Sequence, residues 1–570
     1  MSDANIQQKR LRILIGVVIA IGLAVIVRLF SLQILNTSEY RARAERQYVT
    51  PSGASFDRGT IYFSTTEGDT VAAATIESGF KAAIAPAQII DVEGTYNALS
   101  AIVPIDEASF IAKAKKKTDP YEEVAERISA EDGAKIVALK LPGVTLYRQK
   151  WRFYPGGSMA SKAIGFVSYK GDTLVGNYGL EEYYNDVLAR SAGSFYVNFF
   201  AEIFANVQSS IFKNTHSTGD IVTSINPVVQ AQLEDIIEGV ERDWSSDAVG
   251  GLVLDPYTGE ILAMANVPTF DLNAFGAQKD VGIYGNPLAQ NVYEMGSIIK
   301  PIVMASAIDA GAVTPDTTYI DSGSVVVNNK TISNFDKKGR GRIDMQDVLN
   351  QSLNTGMVFT EQRMGKERFR EYMLDRFKLG TKTEVDLPGE VNGLVSSLKG
   401  DNDINYATAS FGQGVATTPM NIVRGFGALA NGGYLVTPHL AKSIVRVDGT
   451  VETLEHPRSE TSVIKPETAS TISTMLTRVV DDGYGRGLEH YRVAAKTGTA
   501  QIAMPNGGGY YEDRNLHSLI GYFPASKPRF VLYLYNVYPK GALYAIQTLG
   551  DPFFDMVKFL TNYYHIAPDR

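Results

Sequence analysis

Three short segments of this chain hold the residue types that acyl transfer needs. In YEMGSIIKP, Ser297 and Lys300 stand three residues apart, a spacing that places both on one face of a helix. Pro301 is tolerated only in a first helical turn, so a helix is expected to open close to Ser297 and run to Gly311. The positive end of that helix favours a developing serine alkoxide and disfavours a protonated lysine beside it. A desolvated Lys300 could then take the Ser297 proton and make a nucleophile without histidine. Taken alone, Ser-x-x-Lys is a pattern that any surface helix can offer. Competing hydrolytic designs are missing: the six histidines form no HExxH zinc pair, and there is no GxSxG nucleophile elbow.

Two further segments give the pattern weight. Ser352-Leu353-Asn354 follows the helical stretch DMQDVLNQ, and Lys496-Thr497-Gly498-Thr499 lies in a strand-like run near the C-terminus. Asn354 can offer an amide donor to an acyl-chain carbonyl, or simply cap a helix. Ser352 can relay a proton. Period two sets Lys496 and Gly498 on one strand face, where a glycine is expected to let a substrate backbone lie against the strand edge.

The elements that must position these residues occupy the second half of the chain. From about 226, VVQAQLEDIIEGVE reads as a helix, and GGLVLD-PYTG-EILAMA as a hairpin. YRVAAKTGTAQIA, HSLIGYFP and PRFVLYLYNVYP read as late strands, and PFFDMVKFLTNYYH as a closing helix. Mostly helical segments lie between the early and late strands, which suggests an antiparallel sheet with helices on both faces.

Upstream, residues 36–225 mix strand-like runs such as ATIESGFKAAIA with helical ones such as DEASFIAKAKKK and SAEDGAKIVALK. They read as a non-catalytic pedestal. The Lys113 to Lys117 run reads as a solvated helix face. Phe195 to Phe212 carries apolar residues at helical spacing and reads as a buried helix, with a lipid-facing surface as the alternative. Residues 13–35 are expected to be a retained transmembrane anchor after a cytoplasmic tail at 1–12: fifteen apolar residues from Ile13 to Val27 continue past Arg28 into LFSLQIL. Basic residues flank both ends of the span, so charge leaves its orientation open.

The 570 residues suffice for two to four domains. A net charge of −8 makes nucleic acid an unlikely partner, and the absence of cysteine removes disulfides, thiol catalysis and cysteine-ligated metal.

Taken in order, Ser-x-x-Lys, Ser-x-Asn and Lys-Thr-Gly are similar to the combined signature of the penicillin-recognising serine acyltransferases. Nearly end to end, the chain resembles class B penicillin-binding proteins. RLFSLQIL, Arg58-Gly59-Thr60-Ile61, YPGG and GNYGLEEYYNDVL carry the likeness in the first half. VLDPYTGEILAMANVPTFDLN, YEMGSIIKP, SLNTGM, SFGQGVATTPMN and VAAKTGTAQ carry it in the second. Met295 stands where the family often has Pro, and Ala495 where it often has Gly.

The resemblance implies a mixed α/β (α+β) fold: a single membrane helix, an elongated pedestal of the dimerisation type at 36–225, and a transpeptidase domain at 226–570 with a five-stranded antiparallel sheet. It implies a peptidoglycan D,D-transpeptidase with no cofactor and no metal, located outside the cytoplasmic membrane and trapped by β-lactams. Ser297 would be the acylated nucleophile and Lys300 its base. Ser352 would pass a proton to the leaving D-alanine, Asn354 would position the stem-peptide amide, and Lys496 would polarise Ser352. Thr497, Gly498 and Thr499 would bind substrate, the two threonines receiving its terminal carboxylate. The Ser297 and Thr499 N–H groups would form the oxyanion hole. A septal, division-type role is favoured over an elongation-type one, with a polytopic glycan polymerase of the shape, elongation, division and sporulation (SEDS) family as partner. Sporulation-type members with a tail of small domains are expected to match less well. A β-lactam sensor or β-lactamase, and a non-catalytic division scaffold, are the rival readings.

Overall fold

The computed structural model describes residues 57–170, 173–190, 218–484, 488–504 and 508–570. The expected anchor at 13–35 and the stripe from Phe195 to Phe212 lie outside them. Among the described residues no helix is long and apolar enough to cross a membrane. These residues divide into two compact units, Glu77–Trp151 and Asp57–Ile76 together with Arg152–Arg570.

In the smaller unit, helices Val92–Ser100, Glu107–Ala114 and Ala130–Ala138 open at Asp91, Asp106 and Ser129, whose side chains accept from first-turn N–H groups. They bury Leu99, Phe110 and Ile136 together with Ile84 and Ile128. The lysine run is solvated at Lys115–Lys117, as expected, but past the end of its helix. Its helix stops at Ala114, Lys113 Nζ donates to the Glu123 carbonyl, Lys117 Nζ to those of Pro86 and Ile89, and Lys116 pairs with Glu122.

The larger unit is built on a five-stranded antiparallel sheet. Helix α1 (Pro227–Trp244) starts where the Asn226 side chain accepts from the Val228 and Val229 N–H groups, with Pro227 preset for the first turn. Strands β1 (Ala248–Leu254) and β2 (Ile261–Val267) form the hairpin read from GGLVLD-PYTG-EILAMA. After helices α2 (Lys300–Asp309), α3 (Asn354–Met364), α4 (Pro419–Ala430) and α5 (Pro466–Arg478) come β3 (Ala494–Ala503), β4 (Tyr510–Phe523) and β5 (Phe530–Val537). Helix α6 (Ala545–Tyr563) closes the chain and opens seven residues before the PFFDMV segment that betrayed it. The strand order is β2-β1-β5-β4-β3, with β3 at an edge.

Alternate residues of the strands point to two separate cores, as period two requires. Val229, Leu233, Ile237 and Val240 of α1, with Leu549, Phe553, Val557 and Leu560 of α6, cover Val249, Val253, Ala495, Leu519 and Leu532. On the other face Leu252, Ala494, Ile520, Tyr533 and Tyr535 join the core that holds α2, α4 and α5. Every residue of α4 is buried, so this helix is an interior pillar rather than an amphipathic cover.

The larger unit also includes pedestal segments. Gly219–Thr223 pairs antiparallel with Ala441–Arg446 and in parallel with Ile61–Ser64. Beside them Arg58, Arg152 and Glu181 are enclosed together at 2%, 6% and 0% exposure.

Candidate active site

Ser297 sits one turn outside the α-helix expected to contain it. A 3₁₀ turn, Gly296–Ile299, precedes α2, which begins at Lys300 with Pro301 in its first turn and ends at Asp309. The turn is pressed on the edge strand from two sides. Gly296 adopts φ +55°, and a Cβ there would lie 3.0 Å from Ala500 Cβ. A Cβ on Gly498 would lie 2.9 Å from Ile298 Cγ2, 3.0 Å from the Met295 carbonyl oxygen and 2.6 Å from Ser518 Oγ. This corrects the expectation for Gly498. The space its missing side chain leaves is taken by the Met295–Ile298 turn and Ser518, not reserved for a substrate backbone.

Lys300 is fully enclosed. Its Nζ donates to the Ser352 carbonyl at 2.7 Å, to Asn354 Oδ1 at 2.9 Å and to Ser352 Oγ at 3.2 Å. All three bonds run to the Ser-x-Asn segment, and none joins Lys300 to Ser297 among the described residues. Ser352 is held at φ +54°, a left-handed conformation that costs a non-glycine residue of order 1 kcal/mol. That twist belongs to the residue whose carbonyl takes the shortest bond from Lys300.

Asn354 is not a helix cap: α3 is flanked by Leu353, which makes no side-chain cap bond. The Asn354 Oδ1 holds Lys300, and its Nδ2 donates to the Ser333 carbonyl at 3.0 Å, leaving the second amide hydrogen for a ligand. A buried set behind it fixes this geometry. Thr355 Oγ1 donates to Asp321 Oδ1 at 2.8 Å, and Asn334 joins both through its own amide. Nothing in the spacing of Asp321, Asn334 and Thr355 announces this support.

Lys496 lies on the α2 side of β3 and is 1% exposed. Burial drops its amine to about 7. Burial and the neighbouring charge of Lys496 drive the Lys300 amine well below the ordinary lysine range. The two amines therefore share one enclosed region. Lys496 Nζ bonds the Thr497 carbonyl at 3.1 Å and makes no hydrogen bond to Ser352 among the described residues.

Thr497 and Thr499 alternate to the opposite side. Thr499 Oγ1 accepts from the Ala545 N–H at 3.1 Å, and Thr497 Oγ1 accepts from the Tyr484 hydroxyl at 3.2 Å. Tyr484 carries no motif signal. Another unheralded contact lies just before the nucleophile: the Glu294 carboxylate accepts from Tyr510 Oη at 2.9 and 3.0 Å and from the Gly414 N–H at 3.0 Å. Burial pushes that carboxyl above its usual range.

A serine at a helix mouth, a buried amine one turn on, a serine and asparagine gripping that amine, and a second lysine on the adjoining edge strand are the arrangement of a serine acyltransferase of the penicillin-recognising type. Residues 249–555 match the family described as penicillin binding protein transpeptidase domain, and 55–223 the penicillin-binding protein dimerisation domain. The chain belongs to the class B penicillin-binding proteins.

It is 31% identical to stage V sporulation protein D of Bacillus subtilis over 82% of this chain and 73% of that protein. The expected weaker match to sporulation-type members is therefore not met. It is 33% identical to penicillin-binding protein PbpB of Mycolicibacterium smegmatis over 70% of this chain, spanning 62% of that relative's length. To peptidoglycan D,D-transpeptidase FtsI of Escherichia coli it is 27% identical over 81% of this chain and 75% of that protein. Penicillin-binding protein 3 of Mycobacterium tuberculosis, solved with aztreonam, superposes with a TM-score of 0.68 at 25% identity, covering 90% of this chain and 98% of that one.

Proposed function

We propose that this chain cross-links peptidoglycan at the division septum as a serine D,D-transpeptidase, anchored by residues 13–35 with its transpeptidase domain outside the cytoplasmic membrane. One observation carries the catalytic part: Lys300 is enclosed with no carboxylate partner among the described residues, and burial and the charge of Lys496 hold its amine well below the ordinary lysine range, while Ser352 and Asn354 fix its position and can accept the two hydrogens a neutral amine keeps. A neutral Lys300 one turn from Ser297 is a competent base.

In this reading Ser297 Oγ attacks the carbonyl of the penultimate D-alanine while Lys300 takes the hydroxyl proton. The developing oxyanion lies between the N–H groups of Ser297 and Thr499, each such donor contributing about 3 kcal/mol. The Thr497 N–H turns away from β4 to bond Tyr484, and along a strand residues two apart aim their amides the same way. That supports an outward Thr499 N–H. Ser352 returns the proton to the departing D-alanine, charged Lys496 polarises Ser352, and the second Asn354 hydrogen holds the donor peptide. The Thr497 and Thr499 hydroxyls, already used as acceptors, keep their own hydrogens for the terminal carboxylate. An amine of a neighbouring stem peptide then attacks the acyl-enzyme.

Fluorescent penicillin tests the mechanism. Wild type is expected to keep a covalent label that Ser297→Ala never acquires. An unlabelled wild type rejects the reading, and a label shed within seconds makes the protein a β-lactamase. The septal assignment rests on the likeness to transpeptidases named FtsI. Depletion is expected to give filaments; widened, rounded cells would assign an elongation role. A SEDS-family polymerase is the partner of this reading, and exchange of the anchor for an unrelated helix is expected to reduce that polymerase's activity.

A further inference from the structure

We propose that Tyr484 is a positioning residue that aims the Thr497 hydroxyl at the carboxylate of the donor peptide or β-lactam. Tyr484 ends Val479–Tyr484, a wide π-helical turn that prolongs α5; such turns recur beside functional sites. Its hydroxyl makes two bonds to one residue of the edge strand: it accepts from the Thr497 N–H at 2.8 Å and donates to Thr497 Oγ1 at 3.2 Å.

The direction of the second bond matters. A threonine hydroxyl has one hydrogen and two lone pairs. With a lone pair committed to Tyr484, its hydrogen is left to donate, and a carboxylate is a pure acceptor. Without Tyr484 the hydroxyl is a free rotor that must be ordered on binding. Burial raises the phenol to about 12, so Tyr484 remains a donor throughout the working pH range. The first bond also closes the exposed strand edge at Thr497, which leaves Thr499 as the next outward amide along it. No carboxylate, lysine or histidine intervenes in either bond, so the pair works through hydroxyl orientation alone.

This inference rests on the reading that Thr497 receives the substrate carboxylate, and the test separates the two. The full-length protein is acylated with benzylpenicillin and with its methyl ester, which masks the carboxylate, and the ratio of the two rate constants is measured. Tyr484→Phe is expected to lower the acid-to-ester ratio about tenfold, chiefly through binding, as is Thr497→Val. Tyr484→His, which restores a ring donor, is expected to recover part of it. A thermal melt confirms that each variant is folded.

If Thr497→Val lowers the ratio and folded Tyr484→Phe does not, Tyr484 only fills space and the proposal falls. If Thr497→Val leaves the ratio unchanged, the carboxylate reading falls and takes the proposal with it. Should Tyr484→Phe fail to fold, a Tyr484→His protein with wild-type stability decides: a ratio lowered, but by less than tenfold, supports donor geometry as the cause, and an unchanged ratio overturns it.

Discussion

Two places in this molecule bury a pair of cations, and they handle the same cost in opposite ways. Arg58 and Arg152 each place Nε 2.6 Å from an oxygen of Glu181. Arg58 also reaches Asn185 and the Glu181 carbonyl, and Arg152 the Gly59 carbonyl. Lys300 and Lys496 are as deeply enclosed, yet their hydrogen-bond acceptors are two carbonyls, a hydroxyl and an amide oxygen. Bringing charge out of water costs several kcal/mol per ion unless it is paired or relinquished. Guanidinium cannot relinquish its proton, so the arginines need their carboxylate. The amines can: with no carboxylate bonded to either among the described residues, Lys300 is held well below the ordinary lysine range and Lys496 is lowered to about 7, where it still carries charge part of the time. One cluster keeps its charges at any working pH, and the other holds amines whose charge can change.

The comparison breaks first at Glu181. Replacing it with Ala strands two obligate cations, and denaturation is expected to report a loss of about 3–5 kcal/mol; a loss below 1 kcal/mol would mean that Glu181 does not anchor the cluster. Lys496→Met is expected to have the opposite sign. Lys496 titrates at about 7 in the folded protein and near 10.4 in an unfolded chain. Between those values the unfolded state binds more protons, so wild-type stability rises with pH there. Below 7 the buried charge exerts its full penalty. The Met variant is therefore expected to be more stable by about 4 kcal/mol at pH 7, with the gain fading toward pH 10, while penicillin labelling is lost. Equal stability at both pH values would place the two clusters in one category after all.

The smallest effect sharpens the contrast within the site. If Lys496 acts on Ser352 through its charge, as proposed, acylation is expected to decline above about pH 7 as that charge is lost. Lys496→Arg, whose charge is permanent, is expected to lower the rate but remove that alkaline limb. A limb that stays in place belongs to another group.

How much of this was legible in the sequence follows from what each feature depends on. The meeting of Lys300 with Ser352 and Asn354, beside Lys496, was legible because the order of these motifs is rare. The β1–β2 hairpin and α1 were legible because their apolar periods are undisturbed. Gly498 was legible as a requirement for space but not for what fills it, since the Met295–Ile298 turn is two hundred residues away in the chain. Tyr484 had no signal, because a single tyrosine declares neither its partner nor the direction of its hydrogen bond. Lys113 to Lys117 announced solvent, which Lys115–Lys117 do face, but not that the helix stops at Ala114 or that three of the side chains reach carbonyls or a carboxylate. The left-handed Ser352 could not be foreseen, since nothing in its residue type asks for positive φ.

The crowding around Gly498 also bears on how such an enzyme can escape inhibitors. Because its own nucleophile turn occupies the only space a side chain could use, selection has no larger residue to try at that position. Thr497 and Thr499 direct their hydroxyls to Tyr484 and the Ala545 N–H instead, so substitutions there meet a different set of neighbours.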